Sequence, residues 1–381
     1  MTDVTSPLQG TIVRVEVGEG DLVRAGQQAV VIESMKMEHV VAPEVSGIVR
    51  RVVVAVGDTV LPGQALLVVE ESDVDIAGDE TEQARDLDAV RPDLAEVLAR
   101  QAVGRDDARP AAVARRRESG QRTARENVDD LCDPGSFVEY GPLVIAAQRR
   151  RRSVEELVSQ TPADGLVAGV GTVNGHRTIV MSYDYTVLAG TQGLQNHRKK
   201  DRLFELAERL RLPIVFFTEG GGGRPGDTDG TGASGLDCMA FNLFGGLSGL
   251  VPLVGVNSGY CFAGNAAILG CCDVVIATAD SHIGMGGPAM IEGGGLGVVA
   301  PTEIGPMDVQ VPNGVVDIAV ADEAEAVAAA RQYLSYFQGR AGSWDCSDQH
   351  ALRHLVPENR LRVYDVRAVV DALADTGSVL E

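Results

Sequence analysis

Apolar and polar positions alternate through the first 70 residues, which is the pattern of β-strands with one buried face. The pattern occurs twice, 37 residues apart, and the two copies share both their valines and their turn glycines: Val15, Val17 and Val23 match Val52, Val54 and Val60, while Gly10, Gly20 and Gly26 match Gly47, Gly57 and Gly63. Neither small unit could bury its apolar face alone. The repeat therefore predicts two sheets related by a pseudo-twofold axis.

The pattern changes after residue 95, where helical and strand-like stretches alternate. Apolar runs predict strands at 178–187, 213–218, 250–256 and 273–278, and helices near 195–210 and 234–244. Such alternation favours an α/β architecture. Between the two regions, residues 70–88 hold nine acidic residues and one arginine, so this stretch is expected to be an extended linker. The predicted domains are 1–71, a linker over 72–94, and 95–381.

The net charge of −21 narrows the possible partners. An acidic chain disfavours nucleic acids and anionic membrane surfaces. No uncharged apolar run of membrane-spanning length occurs, and no secretory leader is apparent. The six cysteines form no C-x-x-C pair, which favours a reduced, cytoplasmic setting. His350 and His354 have metal-ligand spacing but no third ligand, so no metal site is predicted.

The first candidate for chemistry is a glycine run, Gly220–Gly223, between an apolar strand and a predicted helix. This arrangement can present backbone N–H groups to a developing anion. The run is neither a Walker A loop nor a G-x-S-x-G elbow. A flexible surface loop is the alternative.

The second candidate is Lys36, which lies between Met35 and Met37 at the junction of the two β repeats and is expected at a hairpin tip. An ordinary surface lysine is the alternative. Residues 5–71 resemble the biotinyl domain, whose acceptor lysine lies in a Met-Lys-Met sequence, whereas lipoyl domains usually have Asp before the lysine. The resemblance implies an all-β flattened barrel with biotin on Lys36, where Met35 and Met37 position it for a biotin protein ligase.

Residues 120–340 resemble the N-terminal half of an acyl-CoA carboxyltransferase, with a crotonase-like α/β fold. Three segments carry the resemblance: 133–139, the segment 219–224 in place of the family's D-S-G-G-A-R, and 259–266 with 284–293. The residues of this last pair of segments and the order of the two domains are similar to those of large single-chain acyl-CoA carboxylases. Carried over, Gly221 and Gly222 bind the oxyanion, and the remaining implied substrate-site residues are Ala263, Gly264, Asn265, Gly286 and Gly287.

The resemblance implies transfer of CO2 from carboxybiotin to the α-carbon of acetyl-, propionyl- or longer acyl-CoA, with the biotin nitrogen as base. The CoA phosphates need cations, for which Lys199, Lys200 and Arg224 are candidates; solvated helix surface is the alternative for the lysines. The runs 115–117 and 149–152 are expected to be solvated faces or subunit contacts.

Residues 375–381 repeat 133–139, so 365–381 would begin a second crotonase-like half. The implied partners are a biotin carboxylase and that second half, in a homo- or hetero-oligomer. Two alternatives stay open: a non-catalytic carrier and assembly subunit, and part of a biotin-dependent decarboxylase.

Overall fold

The computed structural model describes residues 1–72, 86, 88–230, 238–340 and 342–381. They form two compact units, Met1–Ala89 and Val90–Glu381. The second unit thus begins a few residues before the predicted boundary at 95. Most of the predicted acidic linker, 73–85 and 87, lies outside the described residues.

The first unit is a sandwich of two four-stranded sheets, ordered β1-β8-β6-β3 and β5-β4-β2-β7. Its strands are β1 Thr2–Thr5, β2 Gly10–Val15, β3 Leu22–Val23, β4 Val30–Ser34, β5 Met37–Val41, β6 Gly47–Val52, β7 Thr59–Val60 and β8 Ala65–Glu71. The predicted pseudo-twofold is confirmed in the register, since Gly10 pairs with Val60 and Gly47 with Val23. A Cβ on Gly10 would lie 2.5 Å from the Glu33 carbonyl oxygen, which explains the repeated glycine.

The second unit is built on a seven-stranded sheet ordered β17-β15-β13-β12-β11-β10-β9. The strands are β9 Val138–Glu139, β10 Leu166–Val173, β11 His176–Tyr183, β12 Ile214–Phe217, β13 Leu253–Asn257, β15 Val274–Thr278 and β17 Ile318–Val320. The pairs from β11 to β17 are parallel, and β9, β10 and β11 pair antiparallel. A separate two-stranded sheet joins β14 Tyr260–Phe262 to β16 His282–Gly284.

The second unit also contains α-helices. They are α1 Pro92–Ala102, α2 Pro110–Glu118, α3 Ala124–Leu131, α4 Val154–Gln160, α5 Leu194–Leu210, α6 Ala240–Gly245, α7 Gly264–Leu269, α8 Pro288–Gly293, α9 Met307–Gln310, α10 Glu323–Ser335, α11 Leu352–Leu355 and α12 Arg367–Leu373. Alternate residues of β12 enter two cores. Val215 and Phe217 pack in the core with α3 and α10, and Ile214 and Phe216 in the core with α5 and α6.

The four predicted strands are confirmed as β11, β12, β13 and β15, and the first predicted helix as α5. The second, 234–244, is shorter, since α6 begins at Ala240 and 231–237 lie outside the described residues. Strand β10 was not predicted, because its glycines dilute the apolar pattern. No helix in the described part of the chain is long and apolar enough to cross a membrane.

The repeat of 133–139 at 375–381 is visible in the backbone. Gly135 and Gly377 both have left-handed φ, 71° and 76°, and in each copy the serine N–H that follows donates to the preceding aspartate carbonyl. Helices α3 and α12 precede the two turns at matching positions. The two segments therefore share one local structure.

Candidate functional site

Lys36 lies at the tip of the β4–β5 hairpin, as the sequence predicts. Ser34 pairs with Met37, which leaves Met35 and Lys36 as a two-residue turn with φ of 52° and 67°. Both left-handed values are those of a type I′ turn, which strongly prefers asparagine and glycine. The methionines are 94% and 65% exposed, and Lys36 is exposed as well. Lys36 is thus held in solvent on a strained turn, beside two exposed methionines.

The glycine run begins where β12 ends, and its first residues are fastened by hydrogen bonds. The Gly220 N–H donates to the Tyr260 carbonyl at 2.7 Å. The Gly221 N–H donates to the Ala189 carbonyl at 3.0 Å, and the Gly222 N–H to Asn265 Oδ1 at 3.1 Å. The predicted oxyanion donors, Gly221 and Gly222, are therefore already paired within the protein.

Gly223 is the member of the run whose N–H has no acceptor among the described residues. It forms a parallel bridge with Gln192, whose N–H donates to the Gly222 carbonyl at 2.8 Å and whose carbonyl accepts from the Arg224 N–H at 2.9 Å. In such a bridge the central residue turns its own N–H away from its partner. Gly223 lines a cavity of about 450 Å³ together with His197, Arg198 and Cys238. Burial lowers the pKa of His197 to about 3, so its ring is neutral.

The second glycine segment lies beside the first. A Cβ on Gly222 would lie 2.7 Å from the Ala263 Cβ and 3.6 Å from the Gly264 nitrogen. Ala263 precedes α7 with φ 50° and ψ −118°, a conformation that alanine rarely adopts. The Gly264 N–H, in the first turn of α7, finds no acceptor in the described part of the chain. Asn265 is fully buried and donates to the Gly190 and Thr218 carbonyls, so it clamps the loop.

Gly286 and Gly287 follow β16 and complete this neighbourhood. The Ala263 N–H donates to the Gly284 carbonyl at 3.0 Å, and a Cβ on Gly287 would contact the Phe262 ring at 3.5 Å. The structure therefore brings together the glycine segments at 220–223, 263–265 and 286–287. No group of three or more potential metal ligands occurs among the described residues.

Lys199 and Lys200 are not surface cations, contrary to both sequence interpretations. They are 3% and 0% exposed on the inner face of α5. Lys199 Nζ donates to the Ala163 and Leu166 carbonyls, and Lys200 Nζ donates to the Tyr183 hydroxyl and Gln192 Oε1. Burial lowers the pKa of Lys199 to about 8 and that of Lys200 to about 7. Neither ammonium is placed to bind a CoA phosphate.

The Arg224 side chain is likewise buried and already paired within the protein. Its guanidinium forms an ion pair with buried Asp164 and donates to the Thr191 carbonyl at 2.8 Å. The expected phosphate contact from Arg224 therefore does not fit its surroundings. The structure instead places exposed Arg198 at the cavity that Gly223 lines.

Arg116 belongs to a run expected to be solvated, yet it is buried beside the glycine run. Its guanidinium spans both carboxylate oxygens of Glu219 and also donates to Gln121 Oε1 at 2.8 Å. Burial raises the pKa of Glu219 to about 7, although Arg116 opposes the shift. Arginine spacing alone carries no signal for this pair, because its partners lie 103 residues apart.

Two families match the chain. The carboxyl transferase domain matches residues 115–381, and the biotin-requiring enzyme domain matches residues 2–69. Among curated proteins, the methylmalonyl-CoA carboxyltransferase 12S subunit of Propionibacterium freudenreichii subsp. shermanii is 29% identical over 71% of this chain and 52% of its own length. The biotin-dependent long chain acyl-coenzyme A carboxylase beta4 subunit of Mycobacterium tuberculosis is 30% identical over 76% of this chain and 56% of its own.

Solved structures agree with these matches. A single-chain, multi-domain long-chain acyl-CoA carboxylase is 55% identical, with a TM-score of 0.73, over 99% of this chain and 37% of its own. A transcarboxylase 12S structure with hydrolyzed methylmalonyl-coenzyme A bound is 27% identical, with a TM-score of 0.60, over 74% of this chain and 56% of its own. The chain spans about half the length of the curated relatives it matches.

Proposed function

Because the chain belongs to the carboxyl transferase family and carries a biotin-requiring enzyme domain, we propose that it is the carrier and acyl-CoA half-site of a biotin-dependent acyl-CoA carboxylase. The biotin-requiring domain implies biotin held covalently on a lysine. Lys36 is that lysine in this proposal, since it lies on an exposed hairpin tip between two exposed methionines. Bound biotin supplies the carboxyl group that is transferred.

The observation that carries the proposal is the Gly223 N–H, which lies at the wall of a cavity and has no acceptor among the described residues. Loss of the α-proton leaves an acyl-CoA enolate, whose oxygen needs a fixed donor in a site that excludes water. In this proposal the Gly223 N–H donates to that oxygen, and the neighbouring Gly264 N–H is the second donor. This replaces the pair Gly221 and Gly222. Losing one such donor lowers turnover by about 10²–10³.

The proposal also reassigns the phosphate contact. Arg198 lines the cavity and is exposed, and it forms no ion pair among the described residues. An exposed guanidinium can meet a CoA phosphate through two N–H donors. The proposed reaction also needs a biotin carboxylase and a second carboxyltransferase half. The free cysteines suit a cytoplasmic location.

The test is carboxyl exchange in the reconstituted assembly. The full chain is biotinylated by a biotin protein ligase, its mass is checked, and it is combined with a chain that carries the second half. Labelled malonyl-CoA or methylmalonyl-CoA is the donor, and acetyl-CoA or propionyl-CoA is the acceptor. We expect exchange, and we expect a Lys36→Arg variant to lack both the biotin mass and the exchange. Biotinylated chain without exchange would leave only the carrier and assembly role.

A further inference from the structure

Gln192 contacts the glycine run in two independent ways. Its backbone flanks Gly223, with hydrogen bonds to the Gly222 carbonyl and from the Arg224 N–H. Its side chain is buried beneath the same residues, where Nε2 donates to Asn265 Oδ1 at 3.1 Å. That same Asn265 oxygen accepts the Gly222 N–H at 3.1 Å. The Gln192 amide therefore holds the Asn265 oxygen toward Gly222, together with the Gly190 and Thr218 carbonyls that accept from Asn265 Nδ2.

Lys200 fixes that orientation. Its Nζ lies 2.7 Å from Gln192 Oε1 and 3.0 Å from the Tyr183 hydroxyl. An ammonium can only donate, so the Gln192 oxygen must face it and the Gln192 nitrogen must face Asn265. The Asn265 oxygen then accepts from both Gln192 Nε2 and the Gly222 N–H, while Asn265 Nδ2 donates to the Gly190 and Thr218 carbonyls. When Lys200 is neutral it still donates to Gln192, because the Tyr183 hydroxyl can become the donor.

Lysine is an unusual residue at the buried position 200. It is fully buried, and in the described part of the chain it forms no ion pair with a carboxylate. The charged side chains around it are Asp164, Asp201 and Arg224, and the Cys238 thiol is also nearby. A buried charge without a close counter-ion is costly, and an apolar side chain would pack there at less cost. A requirement for a donor explains the lysine.

We propose that Lys200 is a positioning residue, which acts through Gln192 and Asn265 to hold Gly222 so that the Gly223 N–H faces the cavity. The inference rests on the proposed function, in which the Gly223 N–H donates to the enolate oxygen. Lys199 makes the natural comparison. It is the adjacent buried lysine, but its Nζ donates to the Ala163 and Leu166 carbonyls and has no hydrogen bond to this relay.

The experiment compares Lys200→Met with Lys199→Met in the full chain. Amide hydrogen exchange is followed by mass spectrometry in fragments that resolve 219–224. We expect the Gly222 and Arg224 amides to exchange at least ~10-fold faster in Lys200→Met than in Lys199→Met, since only the first loses the relay. Equal exchange in the two variants would overturn the proposal. Should Lys200→Met not fold, Gln192→Leu removes the same side-chain relay without changing a backbone group, and its Gly222 amide should exchange faster than that of Lys199→Met.

A second measurement separates this inference from the proposed function. In the reconstituted assembly, Lys200→Met should lower kcat by about 10²-fold with little change in KM, because a displaced Gly223 N–H no longer stabilises the enolate while ground-state binding is unchanged. Lys199→Met should keep kcat. A kcat loss shared equally by both variants would contradict a positioning role. Faster amide exchange in an assembly that never transfers carboxyl groups would support the relay and sink the proposed function alone.

Discussion

The Arg116 guanidinium spans the two carboxylate oxygens of Glu219, at 3.0 Å and 2.8 Å, and both side chains are buried. Glu219 is the residue that immediately precedes the glycine run. The pair therefore ties the start of that run to α2, and helix and loop should respond to the same titration.

The free energy of unfolding should fall as pH rises, because Glu219 loses its proton. Burial raises the pKa of this carboxyl from its usual 4.5 to about 7, so the folded protein favours the protonated form. The contribution is complete below pH 4.5 and is lost as pH rises through about 7, by about 1–3 kcal/mol. Urea unfolding at pH 5 and pH 8 should show this loss in the wild type and a smaller loss in Glu219→Gln. Equal pH dependence in the two proteins would contradict the shift.

Replacing Met35 should stabilise the hairpin that presents Lys36. Met35 has φ 52°, and asparagine tolerates the left-handed region better than methionine does. We expect Met35→Asn to stabilise the β unit by about 1 kcal/mol. Hydrogen exchange of the β4 and β5 amides in the full chain measures it. Met37→Asn is the control, since Met37 lies in a strand, where asparagine is unfavourable. A gain from both variants would refute the turn argument.

The conformation of Ala263 should make glycine the more stable residue there. Its φ of 50° and ψ of −118° are costly with a Cβ and almost free without one. Ala263→Gly should raise the free energy of unfolding by about 1 kcal/mol, whereas Ala267→Gly, inside α7, should lower it by about 1 kcal/mol. Urea midpoints at matched slopes compare the two. Parallel losses would mean that the surroundings of Ala263 already relieve the strain.

The affinity for an acyl-CoA should depend on Arg198, the residue proposed to contact the CoA phosphates. Calorimetry with an acyl-CoA should give about 10-fold weaker binding for Arg198→Ala, with a smaller dependence on salt than the wild type. Arg209→Ala is the matched control, because Arg209 is exposed on the same helix but does not line the cavity. Equal losses in the two variants would indicate general attraction and no specific contact.

The arrangement of α5 shows what the sequence could have revealed. Its buried residues are spaced three and four apart: Asn196, Lys199, Lys200, Leu203, Phe204 and Ala207. Helical periodicity alone therefore places both lysines on the buried face. Charge counting favoured the surface instead, because lysine is rarely buried. In the β unit, the apolar alternation and the turn glycines predict the same strands and turns, so the sequence alone indicates the repeat.

The free donor of the glycine run could not be read from sequence. Alignment by motif names Gly221 and Gly222, whereas the N–H without an acceptor in the described part of the chain belongs to Gly223. The difference arises from the bridge to Gln192, which lies 31 residues earlier and carries no recognisable motif. The bridge uses the Gly222 carbonyl and the Arg224 N–H, and it leaves the Gly223 N–H pointing away from Gln192.

The division of β12 between two cores has an engineering consequence. Ile214 and Phe216 face one core and Val215 and Phe217 the other, so substitutions in this strand disturb both layers and the glycine run that follows. Variants with a changed acyl-chain preference should therefore be sought at exposed positions outside both cores. Ala289 and Met290, exposed beside the glycine segment at 286–287, are the first positions to diversify in a library selected for new substrates.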